Sequence, residues 1–369
     1  MFKAIATSLL WLTSLPVCIY TLITYLFSYT LVLDHWSAGF VMMSLPFAML
    51  GCFIIAFTWL FIRPVRAILP IMILALGYPF IKRTIVFKDP QRAANSLSVF
   101  SYNVFGFYGD NYDENKDKAK KLMAYSIDYE ADIKCFQEFY NVDDDVRFQT
   151  LIPILKENPY FVSNKEKWNP GMVGLIIFSA YPIINRDGKT FGRRNANGYL
   201  MADIARKKDT VRVINIQLQS MGIRVNKVVS KVEGENYEEA KKEGRGIISS
   251  LKTGFEQHSE EIEPIERLIN DSPYPVILVG DFNETPYGNA YGSIRDRLKN
   301  AFEEAGNGFG FTLNRSPRIV RIDNQFSSES IKVLDFKTLS DVKLSDHYPI
   351  LGRYEIGGVK KIKEIQKVK

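Results

Sequence analysis

The first ninety residues restrict the fold more than any other stretch of the chain. They hold only two acidic residues, Asp34 and Asp89, and three apolar runs at about 5–33, 38–62 and 67–81. In hydrocarbon every backbone N–H and C=O must be satisfied within the chain, so an apolar run of about 20 residues can only cross as a helix. The first two runs are long enough. The third is short and carries Pro70 and Pro79, so it reads as a tilted short span or a re-entrant turn. A cleaved leader competes for the first run, but its apolar core is too long and two more apolar runs follow. The expectation is three membrane helices within residues 1–90.

Basic residues near the helix ends set the orientation. Lys3 precedes the first run, the first loop holds Asp34 and His35, and the second loop holds Arg63 and Arg66. This puts the amino terminus and second loop in the cytoplasm. Three spans then leave the remaining chain outside, which describes an integral protein of a bacterial inner membrane with an extracytoplasmic domain. Lys82, Arg83 and Lys88 argue the other way.

The formal net charge of +6 is a property of the two ends. Residues 1–90 contribute +4 and the Lys-rich last eleven residues another +4, leaving residues 91–358 near −2. Nucleic-acid binders usually carry a basic footprint, and this region has none in bulk. The three cysteines supply no disulfide framework, since Cys18 and Cys52 fall in apolar runs and Cys135 in an expected strand.

Beyond residue 90 the period of the apolar pattern changes. Residues 96–104 alternate as a strand, a charged segment at about 117–129 has helical spacing, and 132–139 reads as a second strand. Further strands are expected at 174–179, 199–204, 211–218 and 275–281, with helix over 294–305. Two last strands are expected to end at Asp323 and in the Leu344–Ile350 stretch. Residues 223–270 read as a mostly helical, solvated insertion interrupted by Gly234 and Gly244. Short strands separated by turns point to antiparallel sheets in a layered α/β domain at 91–357, followed by a frayed tail at 358–369.

Polar residues gather at the ends of these strands: Asn103, Glu138, Asp281, Asn283, Asp323, Asp346 and His347. Each alone is an ordinary turn or surface residue. Together they form a set of oxygen ligands with one imidazole and no thiol. Such donors suit Mg2+, Mn2+ or Ca2+ and argue against zinc. A divalent cation beside an imidazole is equipment for displacement at phosphorus.

The motifs carrying those residues are Ser-Tyr-Asn-Val at 101–104, Cys-Phe-Gln-Glu at 135–138, Gly-Asp-Phe-Asn at 280–283, Arg-Ile-Asp at 321–323 and Ser-Asp-His-Tyr-Pro-Ile at 345–350. In this order the chain from about 96 to 355 resembles the endonuclease/exonuclease/phosphatase superfamily. The resemblance implies a four-layered αββα sandwich with two mainly antiparallel sheets, and a metal-dependent phosphoester hydrolase using Mg2+ or Mn2+. It implies Glu138 as main metal ligand, with Asn103 and Asp346. Asp281 would orient or deprotonate the attacking water, and Asn283 would contact the phosphate. Asp323 would fix the tautomer of a protonated His347.

Two departures stand out: Gln217 replaces a histidine common in relatives, and Asn324 follows Asp323 where tyrosine is frequent. Gln217 can still donate to a phosphate but carries no charge. The expected partner is a phosphoester, lipid or nucleotide-derived, near a membrane. The alternatives are a DNA or RNA nuclease, or a non-catalytic binding module suggested by Gln217 alone.

Overall fold

The computed structural model describes residues 2–31, 35–142, 151–165, 172–192, 196–222, 230–234 and 236–357. The expected tail at 358–369 lies outside them. The apolar runs are helical: α1 (Phe2–Thr30), α2 (Trp36–Met43), α3 (Leu45–Ile62), α4 (Pro64–Leu76) and α5 (Tyr78–Thr84). Two segments, Thr7–Thr30 and Trp36–Ile62, are long and apolar enough to cross a membrane. The third run is a pair of helices, α4 and α5, bent by 62° at Gly77, so the count is two spans, or three if the bent pair is one. The bend falls where Gly77 and Pro79 interrupt the helical ladder. Their outward side chains include large apolar groups such as Leu12, Phe47, Phe61 and Met72, each more than half exposed, as a surface facing an apolar medium would be.

The residues beyond the apolar helices form two six-stranded sheets. Its elements in order are β1 (Val86–Phe87), β2 (Leu97–Asn103), α6 (Lys116–Asp128), β3 (Ile133–Tyr140), α7 (Leu151–Ile154), β4 (Tyr160–Ser163) and β5 (Val173–Ser179). They continue with β6 (Ile183–Thr190), β7 (Gly198–Arg206), β8 (Asp209–Gln217), α8 (Tyr237–Asn270) and β9 (Val276–Asp281). The last are α9 (Asn289–Arg295), β10 (Lys299–Asn300), α10 (Ala301–Ala305), β11 (Asn307–Gly308), β12 (Asp323–Ser327), β13 (Ile331–Thr338) and β14 (Ile350–Ile356).

One sheet has the order β13-β14-β2-β3-β5-β4 and the other β10-β12-β9-β8-β7-β6, and β1 pairs β11 separately. Among the described residues only β2–β3 and β8–β9 are parallel. The sheets face each other across Val99, Ile133, Ile177, Ala202, Val213 and Val279. Helix α6 covers the outer face of the first sheet, and α8 with α9 covers that of the second. The expected four-layered sandwich is present.

Several boundaries differ from the sequence reading. Asp323 opens β12 rather than ending a strand, and Ile350 opens β14. Each strand runs antiparallel to the neighbour at its side, so its first residue lies level with the last residues of β9 or β2. Residues 294–305 are not one helix, because Lys299–Asn300 pairs with β12 and Asn300 caps α10. Strands β4, β6 and β13 were not expected. Gly244 does not interrupt α8, whose buried Ile262, Ile265 and Ile269 pack on the second sheet.

Candidate active site

All of the expected site residues meet at one end of the sandwich. Strand register does most of this: Gln217 lies opposite Asp281, and Asp281 opposite Asp323, across three neighbouring strands. Asn103 ends β2 on the facing sheet. Glu138 is aimed there by a bulge, since the β3–β5 register shifts between Phe136 and Phe139 and Glu138 takes φ +51°. A left-handed non-glycine residue is strained, and such strain concentrates where a side chain must be re-aimed. Gly280 is required by the same crowding: at φ +139° an added Cβ would sit 2.0 Å from the Ile216 carbonyl oxygen.

The polar network is dense. Asn103 Nδ2 donates to Glu138 Oε1 at 3.2 Å and to Asp281 Oδ2 at 3.1 Å. Gln217 Nε2 donates to Glu138 Oε1 at 2.8 Å. Asp281 Oδ1 accepts from the Asn283 backbone N–H at 2.8 Å, and Asn283 Nδ2 donates to the Leu218 carbonyl at 2.9 Å. Asn283 has φ +48°, a conformation asparagine tolerates better than most residues. His347 Nδ1 is 2.9 Å from Asp323 Oδ2, while its Nε2 lies 3.8 Å from Asp281 Oδ2 and 4.0 Å from Asp346 Oδ1.

Charge follows from these contacts. Burial pushes the Asp281 carboxyl up from its ordinary range, and the Asp323 carboxylate adds to this against the opposing pull of His347. Burial alone would lower the His347 value, but Asp323 and Asp281 outweigh it and hold the imidazole well above its usual range. The two shifts compete for the same charges. The Asp323 contact at 2.9 Å is the closer, so His347 is the group that keeps its proton. Glu138 is pushed up by burial and then by Asp346.

The oxygen donors fit a divalent cation. Neighbouring Glu138 and Asp346 repel each other, and among the described residues Glu138 accepts from neutral amide donors alone and the buried Gln217 Oε1 has no hydrogen-bond partner. A cation would relieve each of these. The ligand atoms of Asp281, Asp323 and His347 also lie within 4.8 Å of one another. There, however, Asp323 is already engaged with His347, which describes an orienting pair better than a chelate. Asn103 presents its NH2 to the carboxylates, while its Oδ1 accepts from Phe105 N at 3.1 Å.

Three contributors escape the sequence reading. Arg315 reaches Asp346 at 3.4 Å and adds positive charge at the rim. Glu284 and His258 form a buried pair at 3.1 Å directly behind Asn283. His258 Nε2 is also 2.8 Å from the Gln219 carbonyl, so both ring nitrogens face acceptors and only the imidazolium can donate to both. A signal was present: His258 is one of three histidines in the chain and shares the apolar helical spacing of Gly254, Ile262 and Ile265.

Burial lowers the His258 value, but Glu284 more than offsets it and the value is raised in the fold. A raised folded value stabilises below the unfolded value, about 6.5, and is lost as pH rises through the folded one. Stability to denaturant is therefore expected to fall on going from pH 6 to pH 9. His258→Ala should cost about 3–5 kcal/mol by stranding Glu284 and remove this component of the pH dependence. Parental denaturation curves for His258→Ala at both pH values would refute the pairing.

A two-sheet sandwich with carboxylates, amides and an Asp-oriented histidine at one end is the scaffold of a phosphoester hydrolase. Residues 100–347 match the family model described as Endonuclease/Exonuclease/phosphatase family, and the chain belongs to that family. Its members are metal-dependent hydrolases of phosphoester bonds. Residues 7–84 match a domain of unknown function (DUF8431). No curated protein matches.

Among solved structures, the chain is similar to the human Nocturnin catalytic domain with bound sulfate anion, at 16% identity over 73% of this chain and 98% of that one, TM-score 0.47. It is similar to the endonuclease/exonuclease/phosphatase from Beutenbergia cavernae at 14% identity over 71% and 72%, TM-score 0.47. D. rerio TDP2 complexed with single strand DNA product gives 15% identity over 71% and 99%, TM-score 0.48.

Proposed function

We propose that this protein is a membrane-anchored phosphoesterase that uses Mg2+ or Mn2+, with Glu138 and Asp346 holding the metal and Asn103 joining them once its amide turns from donating to the carboxylates to presenting its oxygen. The observation that carries the reading is the buried Asp323–His347–Asp281 arrangement beside the Glu138–Asp346 carboxylates. A bound divalent cation would neutralise charge on the phosphoryl group. The protein's own groups do the rest. Asp281, with a raised proton affinity, orients a water and takes its proton as the water oxygen bonds to phosphorus. The ester P–O bond breaks, and the leaving oxygen departs with the electron pair. His347 Nε2, with no acceptor at hydrogen-bond distance among the described residues, donates to a phosphoryl oxygen. Asp323 holds the ring. Asn283 Nδ2 now donates to the Leu218 carbonyl and to Asp281 Oδ2 and meets the phosphate by exchanging the longer, 3.2 Å bond to Asp281, and Gln217 steadies Glu138.

The test is a panel of phosphomonoesters and phosphodiesters, oligonucleotides included, with the full-length protein in detergent. Hydrolysis is expected with Mg2+ or Mn2+ and loss of it after chelation. Full activity in chelator would sink the metal assignment. A nuclease remains the second reading because the family includes nucleases.

The anchoring part rests on helix geometry. Arg66 lies 5.1 Å from the Trp11 ring and 4.9 Å from the Trp59 ring at one end of the bundle. Tyr29 and Trp36 lie toward the other end. From Trp11 to Tyr29 is about 27 Å of helix, close to the roughly 30 Å of a hydrocarbon core. Helices α4 and α5 return from the Trp11 end to the soluble domain, where Arg83 donates to the Pro286 carbonyl at 3.1 Å. An odd number of traverses, with Arg63 and Arg66 inside, puts residues 90–369 outside the cytoplasm. A carboxy-terminal reporter active only in the cytoplasm should be silent, and a bright signal would reverse the orientation.

A further inference from the structure

An apolar cleft runs from the catalytic turn to the second apolar segment. Gly39 and Met43 of α2 form one wall, Phe255 of α8 and Met221 another, and Val320 and Ile322 the side toward Asp323. It encloses roughly 80 Å³, and Asn283 is part of its lining. Arg315, which reaches Asp346 at 3.4 Å, lines the same cleft. The walls are set by glycine: an added Cβ on Gly39 would lie 2.4 Å from the Phe255 ring, and one on Gly254 2.7 Å from Met221 Cγ. Phe40 packs edge-on against Phe255 at 5.6 Å, which ties α2 to α8.

The cleft therefore joins a phosphate-handling end, with Asn283 and Arg315, to a wall made by the Trp36–Ile62 segment. A nucleic acid would find little there, since the lining is mainly apolar with a single cation, Arg315, set against the Glu284 carboxylate, and residues 91–358 carry a net charge near −2. Hydrocarbon would gain from it. Resting on the phosphoesterase reading above, we propose that the substrate is a lipid phosphoester. Its phosphate lies at Asn283 and His347, and the first carbons of its tail fill the cleft against α2. The lipid would then reach the site along the apolar segment with its tail still covered.

Burying a methylene favours binding by about fourfold. With full-length protein and Mg2+ or Mn2+, kcat/KM is measured on alkyl p-nitrophenyl phosphodiesters from methyl to dodecyl, below their micelle-forming concentrations. It is expected to climb at least about tenfold over the first several carbons and then level off. Met43→Trp, and Val320→Phe from the opposite wall, fill the cleft without touching the catalytic groups. Each should remove most of that gain and leave methyl-ester turnover as in the parent. Three results overturn the lipid assignment while leaving phosphoester hydrolysis in place: a flat chain-length profile, a gain that survives both substitutions, or faster cleavage of a single-stranded oligonucleotide than of the dodecyl ester. Absence of hydrolysis on every ester and oligonucleotide removes the phosphoesterase reading, and this one with it.

Discussion

Replacing Glu138 with glutamine is expected to lower metal-dependent hydrolysis by about 10²–10³-fold, the scale for losing one positioned charge-stabilising group. The fold should survive. The substitution keeps the shape, and an amide oxygen can still accept from Asn103 and Gln217, which now reach Glu138 Oε1 at 3.2 and 2.8 Å. Removing a buried carboxylate beside Asp346 also relieves repulsion, so the variant should melt at or above the parental temperature. Rate against metal concentration, read with a melting curve, separates the two effects. Parental rates at parental metal concentrations would mean that Glu138 is not a ligand.

Gln217→His tests the companion of Glu138. A histidine there could carry charge toward the phosphate but would release the donor that now steadies Glu138. A lower rate would make Gln217 a positioning residue for Glu138; a higher one would make it a substitute phosphate donor.

The sequence made the site more legible than the fold around it. Asn103, Glu138, Asp281, Asp323 and His347 stand out because each is polar and borders an apolar strand, a pattern set by one end of a sandwich. What it hid was direction. Asp323 starts its strand and Asp281 ends one, yet both read as strand ends, and only pairing with β9 distinguishes them. The bulge at Glu138 was equally hidden, because a left-handed glutamate leaves no mark in composition.

Strands β6 and β4 were missed for a different reason. Residues 183–190 are mostly exposed and polar, so tertiary pairing with β7 overrides a weak local pattern. His258 and Glu284 escaped because they lie 26 residues apart and meet only when α8 folds over the catalytic turn. Asn324 looked like a packing change. It accepts from Arg321 and donates to the Ile322 carbonyl, which closes the turn that presents Asp323 to His347.

His347→Ala and Asp281→Ala are each expected to reduce turnover by about 10²–10³-fold with little change in KM. In the proposed mechanism the two residues have complementary parts in one displacement: Asp281 takes the proton of the incoming water, and His347 meets the charge growing on the phosphoryl oxygens. Their side chains lie 3.8 Å apart, too far for a direct hydrogen bond and close enough to serve the same phosphorus. Groups that act as a unit are non-additive, so the double variant should be only slightly slower than either single one. Asp323→Asn should be milder than His347→Ala, because asparagine keeps an oxygen that can accept from Nδ1 but removes the charge that holds the imidazolium. Should Asp323→Asn prove as damaging as His347→Ala, the carboxylate would have to do more than orient the ring. Near-parental turnover in both alanine variants, on a substrate the parent clearly hydrolyses, would place the chemistry elsewhere.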